Sequence, residues 1–196
     1  MLIKKIFICM ISLLITDCTL ASDDMTIPEK TKHTEKLYAK LSKCINSDNN
    51  FPSLDTAISL DIDPSHEINA FSSQGKIVIT AGLLKIANSD EFIAFVLSHE
   101  ISHHIYQHLE KQRNFSPGEN FEDRVAFALQ RGIAMEVEAD RLGLEIMQQC
   151  GFDTANARET LEILLNENSS KGNDTTTGLL YFERMKHLHP KKIPAK

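Results

Sequence analysis

The stretch from Ser89 to Ile105 admits one regular conformation. Phe92, Ile93, Val96, Leu97, Ile101 and Ile105 recur at helical spacing. Ser89 can cap the first turn, and Asp90 and Glu91 stand where the positive end of a helix favours acidic side chains. Inside this predicted helix falls His99-Glu100-Ile101-Ser102-His103. Residues four apart share one helix face, so both imidazoles can reach a single metal ion while Glu100, one residue round, flanks the same point.

That spacing suits zinc. A catalytic zinc takes three protein ligands and keeps a water in its open position, lowering the pKa of that water to about 7. Glu100 is then the carboxylate that accepts the proton. Eight histidines in the chain leave room for coincidence. His104 and His108 also have helical spacing, but Ile105 follows the first of them and supplies no adjacent base; we read both as facing solvent or backing the metal ligands. The third ligand is expected from Met135-Glu136-Val137-Glu138-Ala139-Asp140. Glu136 and Asp140 lie one helical turn apart, so Glu136 can bind the metal while Asp140 holds a ligating histidine by its other ring nitrogen. Glu138 falls elsewhere on the helix and reads as a surface charge.

Four motifs stand in order: Asn69-Ala70-Phe71, Thr80-Ala81-Gly82-Leu83-Leu84, His99 to His103, and Glu136-Val137-Glu138-Ala139-Asp140. Together, over roughly residues 55–151, they resemble the gluzincin metallopeptidase family of HtpX, BepA-like periplasmic proteases and the CaaX prenyl endopeptidase. The resemblance implies a zincin-like α+β fold, mainly helical, with a small β-sheet and an HExxH active-site helix. It implies His99, His103 and Glu136 as ligands of one Zn2+ per chain, Glu100 as general base and Asp140 behind them. Family members tend to carry a late His-Pro; His189-Pro190 is the counterpart, and His189 could stabilise the oxyanion of the tetrahedral intermediate, as could Tyr106 or Tyr181. An extended substrate against an edge strand is expected, with Asn69 to Phe71 as that edge. Unfolded or misassembled envelope polypeptides, membrane proteins among them, are the implied substrates, and quality control the implied role. A zinc-stabilised chaperone or assembly factor without proteolysis is the alternative; a secreted protease acting outside the cell is another.

The remaining sequence sets the frame. Lys4 and Lys5 precede an apolar run from Ile6 to Ile15, and Thr19 and Ala21 offer small residues for signal peptidase. Residues 1–21 therefore read as a signal peptide, an uncleaved anchor being the alternative, and residues 22–196 as one metallopeptidase domain in the periplasm or secreted. No membrane span is expected after cleavage. The chain carries a formal charge of −6, and losing two lysines and one aspartate with the leader makes it one unit more negative. Nothing in it suggests a groove for nucleic acid. Cys44 and Cys150 remain after cleavage and could pair or stay as two buried thiols. Further helices are expected near residues 29–46, 122–149 with an interruption around Gly132, 153–166 and 177–187, and strands near 57–62 and 76–80. Phe115, Phe121 and Phe127 read as core, with a mobile cover as the alternative.

Overall fold

The computed structural model describes residues 25–48, 50–52, 54, 58–114, 121–169 and 175–188. The proposed leader and His189 lie outside the described residues. Helix α1 (Ile27–Ser47) precedes three strands, β1 (Ser59–Asp63), β2 (Ala70–Ser73) and β3 (Lys76–Thr80). Helices α2 (Ala81–Ile86), α3 (Asp90–Ile105), α4 (His108–Arg113), α5 (Phe121–Gln149), α6 (Ala157–Ser169) and α7 (Thr175–His187) follow. The result is mainly helical with a small sheet, as expected. No helix among the described residues is long and apolar enough to cross a membrane.

The sheet order is β1-β3-β2, with β1 parallel and β2 antiparallel to β3. Ile77 and Ile79 of the central strand are fully buried. That leaves β2, the Asn69-to-Phe71 region, as an edge. Thr80 fixes where this edge begins. Its hydroxyl lies 2.6 Å from the Glu67 carbonyl and 2.9 Å from that of Asn69, and it accepts from the backbone N–H of Leu83 at 3.2 Å, capping α2. The next turn must then pass under the same loop. A Cβ on Gly82 would stand 2.2 Å from the Glu67 carbonyl oxygen, so only glycine fits there. The Thr80-Ala81-Gly82 sequence is thus a joint between the helix and the edge strand.

Helix α3 runs through the centre. Ser89 accepts from the backbone N–H of Phe92 (3.1 Å) as the expected cap. Every residue from Phe92 to Ser102 is buried, not one face only, because α3 packs against α1, α5, α6 and the sheet. An apolar helix surrounded on all sides has no solvent face to keep polar. The polar residues it buries are therefore those that require explanation.

Helix α5 lies along α3 and continues unbroken through Gly132, where an interruption was expected. It presents Met135, Ala139, Leu142 and Ile146 to the core. Gly143 comes closest: a Cβ there would lie 3.2 Å from the backbone nitrogen of His99. Its C-terminus closes at Gly151 (φ 77°), with the Phe152 N–H donating to the Met147 carbonyl and the Gly151 N–H to that of Gln148. Cys150, at this terminus, is disulfide-bonded to Cys44 of α1, which decides between the two readings of these cysteines. Phe127 is half exposed, so the core reading fails for it; Phe115 and the side chain of Phe121 lie outside the described residues.

Candidate metal centre

The close approach permitted by Gly143 brings the acidic face of α5 over the histidines of α3. His99 Nε2 lies 3.1 Å from His103 Nε2 and 3.3 Å from Glu136 Oε2, and His103 Nε2 lies 3.5 Å from Glu136 Oε1. The three residues offer ligand atoms within 4.8 Å of one another. Donors held about 2.0–2.1 Å from a tetrahedral zinc stand about 3.3 Å apart, so two imidazoles and a carboxylate at these separations fit that ion. His99, His103 and Glu136, three residues singled out in the sequence, are thus brought together on α3 and α5.

Asp140, one turn along α5 from Glu136, is completely buried and accepts from His99 Nδ1 at 2.9 Å. The donor leaves His99 Nε2 pointing at Glu136. Arg184 of α7 completes the cluster and was missed in the sequence. Its Nε and Nη2 donate to the two Asp140 oxygens at 2.8 and 2.7 Å, and its Nη1 lies 3.2 Å from Glu136 Oε2. A forked guanidinium can serve two carboxylates at once in this way, where an ammonium would act as a point charge. No local signal separates Arg184 from other basic residues of a helix end.

The charges follow from these contacts. Burial opposes a charge on His99, but its bonds with Asp140 and Glu136 outweigh burial and push its pKa up to about 10. Burial, reinforced by the neighbouring His99, holds His103 down at about 3. Burial would raise Glu136, yet His99, Arg184 and His103 keep it well below the usual carboxylate range. Asp140 is likewise lowered, burial being outweighed by Arg184 and His99. Glu100 goes the other way: burial dominates and raises its pKa, against the pull of His99 and Ser72.

Ser72, on the edge strand, is a second residue the sequence did not single out. Its hydroxyl lies 2.7 Å from Glu100 Oε2 and 2.8 Å from the Glu100 carbonyl oxygen. It ties the carboxyl to β2. His108 is buried and lies beside His103, behind the ligand set, and Glu138, half exposed, contacts His108 at 3.2 Å. His104 reaches the Lys76 carbonyl at 3.1 Å. Tyr106 stacks on the His108 ring. The side chain of Tyr181 lies outside the described residues.

In front of these groups opens a cleft of about 460 Å³. Residues Ile68 to Gly75 of the edge strand and its flanks form one wall; Leu161, Leu164 and Leu180 of α6 and α7 line it together with Arg184, and His99, Glu100, His103 and Glu136 are exposed to it. It is an open trough with a strand edge that is unpaired among the described residues, beside a cluster of metal-type donors.

The sequence agrees with known proteins over part of this architecture. Residues 31–119 match the model of peptidase family M48, a stretch that includes β2 and α3 but stops before α5. The β-barrel assembly-enhancing proteases of Escherichia coli (strain K12) and Shigella flexneri are each 30% identical over 130 residues, covering 52% of this chain. The chain spans 27% of the length of these curated relatives. Over the matched stretch the chain is thus similar to peptidase family M48 and to these proteases.

Proposed function

We propose that this protein is a zinc-dependent endopeptidase that hydrolyses extended, unfolded segments of cell-envelope polypeptides. The observation that carries the reading is the convergence of His99 Nε2, His103 Nε2 and the Glu136 carboxylate beside Glu100, on the floor of a trough walled by the edge strand β2. His99, His103 and Glu136 would hold the zinc, whose Lewis acidity would polarise the scissile carbonyl and acidify water. The chain's own residues do the rest. Glu100 takes a proton from the attacking water and returns it to the leaving amine; its burial favours a carboxyl able to do both. Ser72 keeps that carboxyl against β2, so the base and the substrate-binding edge share one anchor. Asp140 and Arg184 hold His99 and Glu136 in place. His189, outside the described residues, is the proposed oxyanion donor.

An edge strand binds any extended chain through backbone hydrogen bonds, which supports loose sequence preference and unfolded substrates. The apolar wall of Leu161, Leu164 and Leu180 favours apolar side chains there. The relatives' name, β-barrel assembly-enhancing protease, supports outer-envelope proteins as the substrate class and quality control as the role. A periplasmic or secreted location, reached after cleavage near Ala21, is supported by the Cys44–Cys150 bond, since disulfides persist in oxidising compartments.

The test is cleavage of an unfolded model protein by the purified, zinc-loaded protein, beside Glu100→Gln and a chelated control. Activity lost in both controls is expected, with Glu100→Gln still binding one zinc per chain and its rate lowered by about 10²–10⁴. Full zinc occupancy without cleavage would overturn the endopeptidase and favour a holding protein that uses the same trough.

A further inference from the structure

His103 has two ring nitrogens with different neighbours. Nε2 faces His99 and Glu136, whereas Nδ1 lies 2.9 Å from His108 Nδ1. His108 in turn directs Nε2 at Glu138 Oε2, 3.2 Å away. This contact exists because the chain turns sharply after α3. Gln107 adopts φ 54° and ψ 41°, the left-handed region that a residue with a Cβ rarely occupies, and so brings the first residue of α4 back beneath His103. Tyr106 stacks on the His108 ring with centroids 5.4 Å apart, fixing its plane.

The proton positions along this chain follow by elimination. A carboxylate only accepts, so His108 Nε2 carries a hydrogen toward Glu138. Neutral His108 then has its lone pair on Nδ1 and accepts from His103 Nδ1–H. Neutral His103 consequently has its lone pair on Nε2, aimed at the point shared with His99 Nε2 and Glu136. Asp140 likewise holds the proton of His99 on Nδ1 from the other side.

We propose that His108, backed by Glu138, is the positioning residue that sets the tautomer and orientation of His103 for metal binding. This rests on the zinc reading above. It makes the two histidine supports unequal: a buried carboxylate for His99, and a neutral imidazole ending on a half-exposed carboxylate for His103.

The experiment measures zinc affinity of the full chain by competition with a chromophoric chelator, alongside the unfolding midpoint of each variant without metal. His108→Leu leaves His103 Nδ1 without an acceptor, and its affinity falls about 10–100-fold, the usual cost of losing such a partner. His108→Asn, whose amide oxygen can accept from His103, restores most of it. Glu138→Ala weakens binding about threefold to tenfold, and Glu138→Gln, which still accepts through its amide oxygen, does not. A folded His108→Leu protein that binds zinc as the wild type does, with only its unfolding midpoint lowered, would overturn the proposal. If His108→Leu does not fold, the Glu138 pair decides: equal affinities for the alanine and glutamine variants overturn it. A wild-type chain with no zinc affinity overturns the metal reading itself, and this inference with it; zinc binding indifferent to all four variants overturns this inference alone.

Discussion

The floor and the wall of the trough are built on opposite principles. The floor is the α3–α5 contact, where Ser98, Ala139 and Asp140 have no solvent exposure and Gly143 lets two backbones almost touch. The wall is β2, four residues long, paired on one side only among the described residues, with Phe71 41% exposed. Ligands of a metal must be held to a fraction of an ångström, and buried side chains hydrogen-bonded as His99 and Asp140 are achieve that. A strand that binds many extended chains needs only its backbone groups, and it tolerates variation in its side chains. Rigidity is concentrated where chemistry demands it, and the hydroxyl of Ser72 ties Glu100 of the floor to the wall.

Substitutions can break this contrast, and they rank by how deep they reach. Asp140→Ala removes one partner from Arg184 and His99 in a fully buried site, and breaking a buried pair costs about 3–5 kcal/mol. Urea unfolding should show that loss, and zinc affinity should fall with it. Gly143→Val pushes α5 away from the His99 backbone, an overpacking that costs about 1–3 kcal/mol. Its zinc affinity should drop even where the protein still folds; unchanged affinity would mean that the helix contact does not set the ligand spacing. Ser72→Ala removes the hydroxyl bonded to Glu100, worth about 1.5–3 kcal/mol if that partner is charged, and kcat/KM should fall about tenfold or more with zinc binding intact. Phe71→Ser, on the wall, should leave stability within about 0.5 kcal/mol and change only KM. A large stability loss there would show that the wall is as constrained as the floor.

What was legible in the sequence follows the same division. The α3 helix, its Ser89 cap and the shared face of His99 and His103 follow from periodicity, because local spacing determines them. Glu136 and Asp140 were found because they sit one turn apart on a single helix. Arg184 was not, since nothing local distinguishes a basic residue whose partner lies 44 positions away. His108 was read as solvent-facing or as backing the ligands; the choice depends on a left-handed Gln107, a conformation that no glycine or asparagine announces. The Cys44–Cys150 pairing stayed open for the same reason: proximity across 106 residues is a property of the fold, not of the spacing.

That bond closes a covalent ring. Running from α1 to the end of α5, it encloses His99, Glu100, His103, Glu136 and Asp140, while α6 and α7 hang outside as a tail. Arg184 is therefore the one member of the charged cluster that lies outside the closed loop, its place beside the others set by non-covalent contacts. The ring restricts how far the enclosed residues can separate in the unfolded chain, worth about 4–5 kcal/mol for a loop of this length on chain-entropy grounds. The tail receives no such help, so its amide hydrogens should exchange before those of α3 and α5. The first partial opening of this molecule is then the departure of a counter-charge from an otherwise closed circle.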